Sequence, residues 1–201
     1  LVVCDPDLLR TLPAREFSAG LYEVVKYGVI ASASLFAGLE KNLDRVMAQD
    51  AAVLTEMITA CCRIKARVVG RDEREAGPRR VLNFGHTVGH ALEAVTSYSR
   101  FRHGEAVAHG MLAAARLSVD RRVLSVDAGA RLSRLIARIG RLPPVEDLCA
   151  ADVLDAIRHD KKIVRGRLHF VLATRVGATA IADDLRSQDL TRALRSIGLR
   201  A

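Results

Sequence analysis

Arg79 to His103 reads RRVLNFGHTVGHALEAVTSYSRFRH and holds three of the six histidines of the chain. Read as a helix from about Arg80, it stacks its polar residues. Arg79, Asn83, His86 and His90 follow one another at intervals of 4, 3 and 4, so they share one helix face over three turns. Leu82, Val88, Ala91, Leu92 and Val95 fill the other faces and read as buried. Gly85 and Gly89 leave a patch where another backbone can pack closely. Each Gly costs a helix about 1 kcal/mol relative to Ala, so two of them suggest a packing or functional reason. A cation, an amide and two imidazoles are expensive to bury unpartnered. A metal, an anion or both would explain the stripe.

Around this stretch the chain is ordinary for a globular protein. With 201 residues it can bury a core, and half of them are hydrophobic. No apolar run reaches the length of a membrane span, and the start, LVVCDPDLLR, lacks the basic and long apolar regions of a signal peptide. That start reads as a strand cut from a longer chain. Cys4, Cys61, Cys62 and Cys149 show no metal spacing and read as reduced thiols of a cytoplasmic protein. The net charge of +8 raises the question of nucleic acid, but there is no Trp and no finger-like or RNP-like pattern. The arginines read as solvated helix faces, with some of the charge available to an anionic small substrate.

In chain order, Leu1 to Cys4 reads as a short strand and Asp7 to Thr11 as one helical turn. Phe17 to Ala31 reads as a helix capped by Ser18, then Ser32 to Met47, then a helix capped by Asp50 and closed by Gly70. GRDEREAGPRR is a charged connection with a turn at Gly77-Pro78. His103 to Asp120 folds back so that His103 approaches His86, and His109 reads as structural. Asp127 caps a helix over Ala128 to Ile139, and Val145 to Ile157 is helical. Leu168 to Thr174 and Ala178 to Ala182 form a hairpin around Gly177, and Leu190 to Ile197 is the last helix. The fold class is mainly α, a multi-helical domain with a small β-hairpin.

HTVGH places two imidazoles four apart, but Thr87 stands where a metalloprotease of the HExxH type has its Glu. Glu23, His86 and His103 would supply the three protein ligands of a catalytic zinc. Spacing alone leaves that trio behind the plain alternative, polar residues satisfied within the fold. Glu23 and Lys26, three apart, equally suit a surface ion pair. Lys26, Lys65, Arg79, Asn83, Lys161 and Lys162 suit a substrate carrying phosphate and carboxylate. No P-loop, serine-nucleophile motif or Gly-rich dinucleotide fingerprint occurs.

Four segments together resemble the C-terminal half of the 3-dehydroquinate synthase family: DLLRTLPAREFSAGLYEVVKYG, KARVVGRDEREAGPRRVLNFGHTVGHALEA, RFRHGEAVAHGM and HDKK with GRLHFVL. The resemblance implies an α-helical metal- and substrate-binding domain spanning residues 1–201. The NAD-binding domain that precedes it in the family is absent from these residues. It implies that Glu23 (in YEVVK, with Tyr22 where a small residue is usual), His86 and His103 hold a divalent metal, zinc first and cobalt as an alternative. Substrate-pocket roles fall on Lys26, Lys65, Arg79, Asn83, His90 and one of Lys161 and Lys162, and an acidic active-site role on Glu75. Leu8, Leu9, Arg10 and Thr11 match the part of this half that touches NAD+. The implied reaction turns 3-deoxy-D-arabino-heptulosonate 7-phosphate into 3-dehydroquinate and phosphate on the shikimate route, with a homodimer as the full-length enzyme. The rivals are another sugar-phosphate cyclase, or a metal-dependent alcohol or glycerol dehydrogenase of the same superfamily.

Overall fold

Apolar residues recurring every three or four positions put most of the chain into helices. The computed structural model describes residues 3–74, 77–159, 163–164 and 167–201. Among them α1 spans Ala14–Ala31, α2 Ala33–Met47, α3 Ala51–Arg71, α4 His86–Val95, α5 His103–Asp120, α6 Val126–Ile139, α7 Ala150–His159 and α8 Ser187–Ser196. Strands β1 (Ile163–Val164) and β2 (Arg167–Leu168) pair antiparallel, as do β3 (Phe170–Arg175) and β4 (Ala178–Ala182). The mainly α architecture with a small β element is as the sequence led us to expect.

Helix α5 is the central post. It carries thirteen buried residues, from Gly104 to Ser118. Helices α1, α4, α6 and α8 and strand β3 all pack against it. Small residues make that crowding possible. A Cβ on Gly110 would lie 1.9 Å from the Gly85 carbonyl oxygen, and one on Gly89 would lie 3.1 Å from the Ala106 carbonyl. The α4–α5 seam is therefore backbone against backbone, the close packing expected of Gly85 and Gly89. Ser118, fully buried, accepts from Ala173 N at 3.1 Å and so ties β3 to α5. The β3–β4 hairpin turns at Gly177 (φ +92°), whose N–H donates to Val29 O at 2.8 Å. The hairpin tip is thereby pinned to the end of α1.

Several boundaries differ from the sequence reading. Val3 and Cys4 are exposed and lie outside any strand, while Leu1 and Val2 fall outside the described residues. Helix α1 starts at Ala14 after Pro13, whose fixed φ suits a helix entry, so Ser18 lies inside it. Helix α3 runs through Gly70 to Arg71. Ser125, not Asp127, caps α6 by accepting from Ala128 N at 3.2 Å. Helix α7 begins at Ala150, because Val145 to Leu148 form a turn, closed by Leu148 N–H donating to Val145 O at 3.0 Å, instead of a first helical turn. Asp50 does cap α3, accepting from Ala52 N and Val53 N.

Arg79 to His90 is not one helix. Pro78–Asn83 is a 3₁₀ turn, and the chain breaks at Phe84 and Gly85 before α4 begins at His86. Gly85 has φ +81°, a left-handed conformation that only glycine adopts at little cost. The single stripe is therefore two groups on two elements: Arg79 and Asn83 on the turn, His86 and His90 on α4.

Candidate metal centre

The break at Gly85 makes His86 the first residue of α4, aimed back toward α1. Its Nδ1 lies 3.3 Å from Phe84 O. A carbonyl only accepts, so this contact assigns the proton to Nδ1 and leaves Nε2 with a lone pair. Burial, then the nearby Lys26 ammonium, push the His86 pKa down to about 4, so the ring is neutral at pH 7. Its Nε2 sits 3.5 Å from Glu23 Oε1.

Helix α1 delivers Glu23 and Lys26 to the same place. Lys26, 4% exposed, donates to Glu23 Oε2 at 2.6 Å. The expected pairing is present, but at a half-buried site rather than on a solvated face. The second carboxylate oxygen, Oε1, is buried and has no hydrogen-bond partner. An ionised carboxylate oxygen left that way is costly.

His103, the first residue of α5, closes the group. Its Nε2 is 3.9 Å from the same Glu23 Oε1, and its Nδ1 is 3.1 Å from Glu93 Oε1 on α4. The start of α5 is held firmly. Glu105 accepts two bonds from Arg15 of α1, each 2.7 Å, and one from Arg102 N at 2.8 Å. Arg102 also pairs with Glu16. Burial raises the Glu105 pKa, but the bonds from Arg15 and Arg102 outweigh it and hold the carboxyl below its usual range.

Two imidazole lone pairs thus converge on one carboxylate oxygen with no donor among them. That arrangement suits a cation. Ligand atoms around a tetrahedral ion with bonds of about 2.0–2.2 Å stand about 3.3–3.6 Å apart. The 3.5 and 3.9 Å separations to Glu23 Oε1 are close to that edge length. One carboxylate and two imidazoles fit zinc and several other divalent ions.

His90 is nearer to this group than its sequence role suggested. His86, His90 and His103 offer ring nitrogens all within 4.8 Å of one another. The ring centroids are 5.2 to 5.8 Å apart. A three-imidazole set is therefore the geometric competitor of the set containing Glu23. Glu93, 8% exposed, was not singled out in the sequence. The only signal for it is its place three residues after His90. Cys61 is not part of the three-imidazole group among the described residues; burial first, then Cys62, push its thiol up to about 12.

The remaining expected site residues sit as follows. Arg79 Nη1 donates to Glu73 O at 2.7 Å, and its backbone N–H to Asp72 Oδ2 at 2.9 Å. Asn83, half-buried, ends the same 3₁₀ turn. Lys65 is exposed on α3, which packs against that turn. Leu8, Leu9, Arg10 and Thr11 form a mostly exposed 3₁₀ turn, with Arg10 paired to Asp7 at 3.0 Å. Glu75, Lys161 and Lys162 lie outside the described residues. His109 is structural as expected: its Nε2 donates to Pro143 O at 2.9 Å. The cysteines are free, and no helix among the described residues is long and apolar enough to cross a membrane.

The comparisons with known proteins agree with one another. The family model described as 3-dehydroquinate synthase C-terminal matches residues 20–163. The 3-dehydroquinate synthase of Desulforamulus reducens is 46% identical over 197 residues, which cover 96% of this chain and 54% of the relative. That of a Synechococcus species is 45% identical over 202 residues, covering 98% of this chain and 54% of the relative. The chain thus spans about half the length of the curated relatives it matches. Among solved structures, 2-epi-5-epi-valiolone synthase from Streptomyces hygroscopicus, with NAD+ and Zn2+ bound, superposes with a TM-score of 0.83 at 26% identity. The match covers 96% of this chain and 54% of that one.

Proposed function

The chain belongs to the 3-dehydroquinate synthase C-terminal family, and on that premise we propose that it is the metal- and substrate-holding half of a 3-dehydroquinate synthase. The reaction is conversion of 3-deoxy-D-arabino-heptulosonate 7-phosphate to 3-dehydroquinate and phosphate. The observation that carries the reading is the donor-free meeting of Glu23 Oε1 with the Nε2 atoms of His86 and His103. The neighbouring synthase that binds NAD+ and Zn2+ supports it.

In this reading Glu23, His86 and His103 hold one divalent ion, zinc or cobalt. When bound, the ion supplies Lewis-acid polarisation of a substrate oxygen, and NAD+ a reversible hydride acceptor. The chain's own residues do the rest. Lys26 binds Glu23 Oε2 and so turns Oε1 toward the histidines. Arg79, anchored by Glu73 and Asp72, offers its guanidinium to a carboxylate or phosphate, with Asn83 and Lys65 beside it. His90, packed edge-on against His86, is placed to hold or move a proton near the ion. Glu75 takes an acid–base role, one of Lys161 and Lys162 an anion-binding role, and Leu8 to Thr11 an edge of the NAD+ site, on the family match alone. A cytoplasmic homodimer completes the reading for the full-length enzyme.

The test is a chimera. This chain, fused to the N-terminal half of the Desulforamulus reducens relative, is expected to release phosphate from the heptulosonate phosphate with NAD+ and zinc. The 201 residues alone, given NAD+ and zinc, are expected to release none. Preference for sedoheptulose 7-phosphate, or oxidation of glycerol, would assign the chain to a different member of the superfamily.

A further inference from the structure

We infer that Glu93 is a positioning residue for the metal centre, acting through His103. The inference rests on the metal reading above and adds a residue to it. Glu93 sits in the last turns of α4, 8% exposed, with Oε1 at 3.1 Å from His103 Nδ1. The other His103 ring nitrogen, Nε2, stands 3.9 Å from Glu23 Oε1.

The geometry gives this contact a direction. A carboxylate only accepts, so His103 must carry its proton on Nδ1 to meet it. Nε2 is then a lone pair, and the same ring orientation aims it at Glu23 Oε1, 3.9 Å away. Without Glu93 the ring is free to rotate or to take the opposite tautomer, because the His103 side chain is 49% exposed. The negative charge of the Glu93 carboxylate against Nδ1–H also makes Nε2 a stronger electron-pair donor to a cation. His86 achieves the same tautomer with a neutral carbonyl, Phe84 O. His103 begins a different helix from Glu93, so the contact also locks α4 to α5 at the point where both deliver a ligand.

A purely structural role would make the Glu93–His103 contact a helix tie, visible in stability and not in metal affinity. The experiment therefore reads both. Zinc affinity of the 201-residue chain is measured by competition titration for the wild type, Glu93→Gln and Glu93→Ala, beside thermal melts of the metal-free forms. Glu93→Ala is expected to weaken zinc about 10- to 100-fold. Glu93→Gln, whose amide oxygen still accepts from Nδ1–H, should weaken it less and melt like the wild type. Long-range 1H–15N spectra should show His103 protonated on Nδ1 in the wild type and a tautomer mixture in Glu93→Ala. Cobalt-loaded chains should show a shifted visible spectrum in both variants. Unchanged zinc affinity in both variants, or wild-type His103 protonated on Nε2, would overturn the inference while leaving the metal site standing. A wild-type chain that takes no zinc would overturn the metal reading, and the role of Glu93 with it.

Discussion

Replacing Gly104 by Ala tests how the fold positions the site. Gly104 follows His103 at the start of α5 and faces α1. A Cβ there would lie 1.9 Å from Ala19 O and 2.6 Å from Ala19 C. An ordinary carbon–oxygen contact is about 3.3 Å or longer, so the start of α5 must retreat from α1 by about 1.4 Å. Ala19 is one turn before Glu23, so the retreat opens the seam between Glu23 and His103. Their 3.9 Å separation would grow toward about 5 Å, too long for two bonds of about 2.0–2.2 Å to one tetrahedral ion. Overpacking of this kind costs about 1–3 kcal/mol. At about 2–4 °C per kcal/mol for a chain of this size, the melting temperature should fall by about 2–12 °C. Zinc affinity should fall by on the order of tenfold or more, since misplacement by about 1 Å is costly at such sites. Gly20→Ala is the control: it lies in α1 with nothing within 4 Å of an added Cβ. It should stabilise the chain by about 0.5–1 kcal/mol through helix propensity. The assays are thermal melts and calorimetric zinc titration. A Gly104→Ala chain that melts and binds zinc like the wild type would refute the argument that close α1–α5 packing sets the ligand geometry.

Three further outcomes are expected. Arg79→Ala and Asn83→Ala in the active chimera should raise KM for the heptulosonate phosphate while metal content, measured by atomic emission, stays at the wild-type value; loss of the ion would reassign their roles. Tyr22→Phe removes the bond from the buried Tyr22 hydroxyl to Gly140 O, 3.2 Å long, and should cost about 0.5–1.5 kcal/mol in melts with zinc affinity unchanged. Glu105 has a folded pKa below its unfolded value, so its contribution is full above about pH 4.3 and is lost as pH falls through the folded value. Melting temperature should accordingly drop more steeply between neutral and acid pH in the wild type than in Glu105→Gln, and parallel curves would count against it.

Much of the fold could be read from local pattern. Helix α5 has the bounds its sequence implied, because His103 follows a short polar connection and the apolar period ends at Asp120. Asp50 and Gly177 were equally legible, one as a cap and the other as a hairpin tip. The stripe from Arg79 to His90 was misread because a helix and a broken 3₁₀–α segment share the same spacing. What separates them is the left-handed φ of Gly85, at a point where α5 packs so close that an added Cβ would meet Val107 O and Met111, and neither is visible in the spacing. The caps of α1 and α6 slipped because Pro13 competes with Ser18, and Ser125 with Asp127, as helix starts. At the site, Glu23, His86 and His103 came from resemblance to a family; spacing left them undecided, since their approach is tertiary. Glu93 stayed hidden for the same reason. A carboxylate on a helix gives no sign of being buried until its partner helix is in place.

The central claim is that one divalent ion is held by Glu23, His86 and His103. The most direct measurement is the anomalous difference density of a crystal of this chain grown with zinc. The account predicts one ion bonded to Glu23 Oε1, His86 Nε2 and His103 Nε2 at about 2.0–2.2 Å, with His90 outside bonding distance and Lys26 still on Glu23 Oε2. An ion bound by His86, His90 and His103 without Glu23, or zinc bound only elsewhere on the chain, would contradict it.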